Sequence, residues 1–178
     1  ASAGCSRPIS CASSPTASIS SRLVRIETKT AEETEALGRR LAHARPDSAT
    51  LAVLYLTGEL GAGKTTFARG VLSALGVAGA VRSPTYTLLD IHELPGLTAL
   101  HIDLYRLRDP SELESLGLRD FARPGTFWLI EWPERGGRRL PPADLTLTFT
   151  VGAQAHEIEV HADSDAGKAW LARLNPSG

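Results

Sequence analysis

Residues 51 to 57, LAVLYLT, are an almost unbroken apolar run, the pattern of a strand buried on both faces. A glycine-rich stretch follows. Phe67, Val71, Leu72 and Leu75 then recur at i, i+4, i+5 and i+8, the apolar stripe of a helix that Gly76 can end in a left-handed conformation. Upstream, LVRIET at 23–28 alternates like an edge strand. Thr30 and Glu33 form a capping box opening a helix to about Arg45, with Leu37, Leu41 and Ala44 as its buried stripe. Downstream, runs at 86–93 and 97–104 flank Leu94-Pro95-Gly96 as a hairpin, and Asp109-Pro110-Ser111-Glu112 opens a short helix to about Leu116. Glu112, Glu114 and Asp120 there read as solvated acids. TFWLIE at 126–131 is another apolar strand; 145–151 and 157–161 pair around Gly152–Ala155; 164–174 closes with a helix. These elements predict an α/β fold of three layers with a mixed parallel and antiparallel central sheet.

With 178 residues, 42% of them hydrophobic, the chain has material for one domain, placed at 23–174. Residues 1–22 hold eight serines and no acid, which reads as a disordered tail; Arg7 and Arg22 in this acid-poor segment leave a weak likeness to a transit peptide as a second reading. Residues 175–178 are a short C-terminal tail. A net charge of −1 and a pI near 6.6 give no overall basic field, so contact with nucleic acid is expected to be local or indirect. Cys5 and Cys11 have no Cys or His partners at metal spacing, which argues against a zinc site or disulfide framework and fits a reducing, cytoplasmic setting. No apolar run approaches the roughly 20 residues of a membrane span.

Between the central strand and its helix, Gly58, Gly63, Lys64 and Thr65 satisfy G-x-x-x-x-G-K-[ST], the phosphate-binding loop of nucleotide-hydrolysing proteins. Glycines let backbone amides approach phosphate oxygens, a lysine reaches the β and γ phosphates, and a threonine hydroxyl can ligate Mg2+. The helix that starts there adds its positive end. Only Lys29, Lys64 and Lys168 are lysines, which makes one at the motif position more telling. Three further candidates follow from position. Thr85, in the polar Ser83–Tyr86 loop after the first motif helix, is placed as a switch threonine is. Asp103 ends an apolar strand, as a Walker-B-like aspartate does, and Glu131 ends another at the sheet edge where ligands collect. Trp132 either stacks on a base or covers the core. Arg135-Gly136-Gly137-Arg138-Arg139 reads as a flexible basic loop: solvated, supplying an arginine to the phosphates, or touching RNA.

GELGAGKTT at 58–66, SPTYTL at 83–88, HIDLYRL at 101–107 and IEWPE at 130–134, in that order and spacing, resemble the bacterial TsaE (YjeE) family over roughly Leu23 to Leu174. That resemblance implies a P-loop ATPase using ATP and Mg2+, working with the proteins TsaB and TsaD to make threonylcarbamoyl-adenosine beside the anticodon of certain tRNAs, with tRNA met through the complex. It implies Glu59, Leu60, Gly61, Ala62, Gly63, Lys64, Thr65 and Thr66 around the phosphates, Thr65 and Glu131 on Mg2+, and Asp103 as the Walker-B-like carboxylate. It strengthens Thr85, and it brings Thr30 and His156 to the adenine. Two rivals stay open: a P-loop small-molecule kinase, and a nucleotide-dependent scaffold with negligible hydrolysis. A regulatory GTPase is disfavoured, because the chain has no N-K-x-D stretch and Asp103 is followed by Leu-Tyr-Arg without the glycine of D-x-x-G.

Overall fold

The computed structural model describes residues 23–46, 50–79 and 81–174; the two terminal tails assigned at 1–22 and 175–178 lie outside them. Seven strands form one sheet: β1 (Leu23–Thr28), β2 (Ala52–Gly58), β3 (Leu89–Leu94), β4 (Leu97–Asp103), β5 (Thr126–Glu131), β6 (Leu145–Val151) and β7 (His156–Ala162). Their order is β1-β7-β6-β2-β5-β4-β3. β2 pairs parallel with β5 and β6, and β4 pairs parallel with β5. The hairpins β3–β4 and β6–β7 and the strand β1 add the antiparallel margins. The mixed sheet expected from the pattern is therefore present, with its fully buried strands, β4 and β5, in the parallel centre.

Helices α1 (Ala31–His43), α2 (Lys64–Leu75) and α4 (Asp165–Leu174) cover one face, over Leu54, Leu56, Phe127, Leu129, Leu145 and Leu147. The other face carries Val53, Leu100, Ile102, Trp128 and Ile130 against α3 (Glu112–Ser115) and the turns around it. α1 begins as the capping box predicts, with Thr30 Oγ1 accepting from the Glu33 amide at 3.2 Å and Glu33 accepting from the Lys29 amide. α2 ends as predicted, at Gly76 with φ 104°. The two helices touch closely: a Cβ on Gly70 would lie 2.1 Å from the Glu35 carbonyl oxygen, so only glycine allows this approach. The Trp170 indole donates to the Leu41 carbonyl at 2.8 Å and ties α4 to α1.

Several boundaries differ from expectation. β3 begins at Leu89 because Thr85–Leu88 form a turn, and the strands run on so that Pro95 and Gly96 alone make the hairpin turn. α3 is a single turn from Glu112, although its capping box is there, the Asp109 amide donating to Glu112 at 2.9 Å. The basic stretch expected to be a flexible loop is folded into 3-10 turns at Pro133–Arg135 and Gly137–Arg139, with the Arg135 guanidinium 5.2 Å from the Tyr105 ring. Among the described residues, no helix is long and apolar enough to cross a membrane.

Candidate functional site

The loop from Gly58 to Gly63 leaves the end of β2 and turns into α2. A Cβ on Gly58, whose φ is 124°, would sit 2.2 Å from the Phe149 carbonyl oxygen of the neighbouring β6, so glycine is required where the loop departs. Gly63 takes φ 98° as the residue before α2. The first turn of α2 therefore opens on the loop, with amides that have no intrahelical acceptor. Lys64 is 4% exposed, and its ammonium donates to the Gly58 and Glu59 carbonyls at 2.7 Å each while lying 4.0 Å from the Trp132 ring centre. Burial draws its pKa below the usual lysine value, and the carboxylates of Glu131, Glu134 and Asp103 act against that shift.

Asp103 and Glu131 arrive from separate strands as register partners of the parallel pair β4–β5, and Leu56 of β2 stands in register with Glu131. Parallel pairing thus delivers both carboxylates, each almost fully buried, to the sheet edge beside the loop. Both are hydrogen-bonded, as buried carboxylates need to be. Asp103 Oδ2 accepts from the hydroxyls of Ser83 and Thr85, the latter at 2.7 Å, and its Oδ1 accepts from the Tyr105 amide at 2.9 Å. Glu131 Oε2 accepts from Thr65 Oγ1 at 3.0 Å. Its Oε1 meets His101 Nε2 at 2.9 Å. Among the described residues, two other than glycine take positive φ, Leu88 and Trp132, and they close the segments that carry Thr85 and Glu131.

A cleft of about 380 Å³ gathers these groups, lined by Gly61, Lys64, Thr65, Thr85, Asp103 and Glu131, with Trp132 on its wall. On the other flank of the loop, a smaller cleft of about 160 Å³ brings together Lys29, Thr30, Gly61, Gly63, Thr66 and His156. The structure thus puts Thr30 and His156 side by side, from the start of α1 and the start of β7, and His156 Nδ1 donates to the Ala62 carbonyl at 2.9 Å. Trp132 lies instead with Lys64 and Tyr105, whose ring centre is 5.0 Å away, so it covers the lysine and stands apart from the cleft of Thr30 and His156. Glu59 and Leu60 are exposed on the loop, and Ala62 is buried beneath it. A larger hollow of about 500 Å³ between Leu113 and Arg139 touches none of these residues, and its Arg139 pairs with Glu114.

Sequence reasoning took Ser83 only as part of the Ser83–Tyr86 loop and assigned no role to Tyr105, Arg106 and His101, all of which sit in or against the cleft of Asp103 and Glu131. For His101 a signal was available: two residues before Asp103 in a strand, it shares that carboxylate's face. The donor set is a hydroxyl and two carboxylates, oxygen throughout. Among the described residues no cluster of three His, Cys, Asp or Glu residues could hold an ion by itself. The oxygen donors of Thr65, Asp103 and Glu131 are of the kind that Mg2+ takes, one or two carboxylates with its other positions kept for water and phosphate oxygens.

The family model described as threonylcarbamoyl adenosine biosynthesis protein TsaE matches residues 28–160. The tRNA threonylcarbamoyladenosine biosynthesis protein TsaE of Haemophilus influenzae is 46% identical over 116 residues, covering 65% of this chain and 73% of that protein. The TsaE of Bacillus subtilis is 37% identical over 129 residues, 71% of this chain and 78% of its own. Among solved structures, Bacillus subtilis YdiB superposes with a TM-score of 0.72 at 28% identity, over 88% of this chain and 96% of that one. With its phosphate loop, its paired strand-end carboxylates and a match spanning most of the domain, the chain belongs to the TsaE family of threonylcarbamoyl adenosine biosynthesis proteins.

Proposed function

We propose that this protein is a Mg2+-dependent ATPase that supports threonylcarbamoyl modification of tRNA adenosine beside the anticodon, acting in the cytoplasm with TsaB and TsaD through an ATP-driven switch. The observation that carries the reading is the convergence of four groups from three segments: Lys64 and Thr65 at the mouth of α2, and Asp103 and Glu131 in register at the ends of β4 and β5. Thr65, Asp103 and Glu131 would hold Mg2+, which would neutralise charge on the phosphate oxygens. Lys64, now capped by the loop's own carbonyls, turns its ammonium to the γ phosphate, and the α2 amides receive the rest of the chain. Glu131 orients the attacking water. The water oxygen bonds to the γ phosphorus, the bond to the β–γ bridging oxygen breaks, and ADP and phosphate leave with the water's protons shared between product oxygens and solvent.

The switch lies in Ser83–Tyr86. In this structure Asp103 holds that segment through the Ser83 and Thr85 hydroxyls. Once Asp103 faces the phosphate end, Thr85 is released towards the γ phosphate; after hydrolysis the segment returns to Asp103 and resets the complex with TsaB and TsaD. The smaller cleft, with Thr30 and His156, takes the adenine.

Phosphate release, measured for the chain alone and with TsaB and TsaD, tests this reading. Stimulation by the partners, with about a tenfold loss in Thr85→Ala from one missing charge-assisted contact, is the expected result. Nucleotide binding without turnover in either condition would leave the scaffold, and phosphate appearing on an acceptor would point to the kinase.

A further inference from the structure

We infer that His101 is a positioning residue: its Nε2–H holds the Glu131 carboxylate, which in turn directs the single hydroxyl hydrogen of Thr65 and leaves the Thr65 oxygen lone pairs for a cation on the nucleotide. This rests on the ATPase reading above, and concerns how the cation site is kept in shape.

His101 is fully buried and Glu131 is 1% exposed. Glu131 has one donor on each oxygen, His101 on Oε1 at 2.9 Å and Thr65 on Oε2 at 3.0 Å, so its orientation is fixed from both ends. Because an ionised carboxylate only accepts, the hydrogen in the first contact belongs to His101 Nε2. Thr65 likewise has one hydrogen to give. With that hydrogen directed at Glu131, its lone pairs point elsewhere, as a ligand to Mg2+ needs.

Packing alone does not account for a histidine here. Its same-face neighbours are the buried apolar Ala99 and Leu129 on one side and, on the other, the carboxylates of Asp103, two residues on, and Asp90, its register partner on β3. Among the described residues its one hydrogen bond goes to neither of these but to Glu131, and its Nδ1 is buried with no partner. An unpaired buried polar atom is destabilising. What His101 contributes in exchange is the bond to Glu131. The register makes this possible: His101 stands opposite Leu129, one step before the Asp103–Glu131 pair, a diagonal that long side chains span. The same logic governs metal sites in general, where outer partners of the ligands set ligand orientation and change metal affinity by about 10- to 100-fold.

The test uses the full chain as wild type, His101→Phe and His101→Gln, with ATP titrated in Mg2+ and again in EDTA. The expected result is that His101→Phe keeps the wild-type affinity in EDTA but loses about 10- to 100-fold of the gain that Mg2+ brings. His101→Gln, whose amide nitrogen can donate from a similar reach, recovers most of it. A Mg2+ gain undiminished in His101→Phe, or glutamine no better than phenylalanine at equal folded content, overturns the inference and leaves the ATPase reading standing. A wild-type chain that gains nothing from Mg2+ overturns both. Nitrogen NMR of wild-type His101 gives an answer even where the variants do not fold: hydrogen on Nε2, with a signal that moves when Mg2+ joins ATP, supports the role. Hydrogen on Nδ1 alone, or a signal indifferent to Mg2+, contradicts it.

Discussion

The two clefts that flank the phosphate loop share Gly61, Gly63 and Thr66 but are built on different principles. The larger is walled by the ends of parallel strands: Asp103, Glu131 and Lys64 are buried there, bonded to other side chains or loop carbonyls, and rigid because the sheet beneath them is. The smaller is assembled from the margins of the fold, the exposed cap residue Thr30 and the hairpin residue His156, and it holds no carboxylate among its lining residues. The buried charges are thus gathered at the sheet, whereas the periphery contributes Lys29, Thr30 and His156. On the proposed function these are the phosphate end and the adenine end of one ATP.

Replacing Glu131 by Gln breaks the first half of that comparison. A loss of turnover of about 100-fold or more is expected in a phosphate-release assay with the partners present, since the carboxylate that would hold Mg2+ and orient the attacking water becomes a neutral amide. Wild-type turnover would exclude Glu131 from the chemistry. The second half is sharpened by His156→Ala. That change removes a side chain from the wall of the smaller cleft and should weaken ATP binding only a few-fold while leaving the affinity for inorganic tripolyphosphate unchanged. Equal weakening of both ligands would remove the distinction between the clefts.

How much of this the sequence disclosed follows the same division. The larger cleft was legible because its parts obey short-range rules: a spaced glycine motif between an apolar run and a helical stripe, and carboxylates at the ends of apolar strands. That Asp103 and Glu131 would be register partners was not, since strand pairing across 28 positions depends on the whole sheet. Thr30 and His156 were reached only through family resemblance. Their juxtaposition arises when β1 pairs with β7, Thr28 opposite His156, and local sequence carries no trace of that pairing. His101 escaped because a histidine inside an apolar strand looks like core; its place two residues before Asp103 was the available signal, and its bond to Glu131 is what the structure adds. The Arg135–Arg139 stretch looked flexible from its glycines, yet Gly136 is buried against Leu140 and Leu104, and the segment folds into 3-10 turns.

The smallest predicted effect concerns stability alone. His92 lies on the same sheet face as His101, and burial lowers its pKa, with Asp90 opposing and His101 adding to the shift. Its folded pKa is therefore below its unfolded value near 6.5, so the unfolded chain binds more protons in that interval and stability falls as pH drops below about 6.5. Denaturant titrations across pH 7 to 5 should show this slope reduced in His92→Leu, with ATP affinity at pH 7 unaltered. An unchanged slope would mean that His92 is as free to protonate in the folded chain as in the unfolded one.

The central claim is that Lys64 and the loop around it hold a polyphosphate, and calorimetric titration of wild-type and Lys64→Ala chains with Mg·ATP tests it most directly. The account predicts saturable one-site binding by the wild type and a loss of at least about 100-fold in the variant at unchanged thermal stability. No binding by the folded wild type, or equal affinity in the two chains, would contradict it.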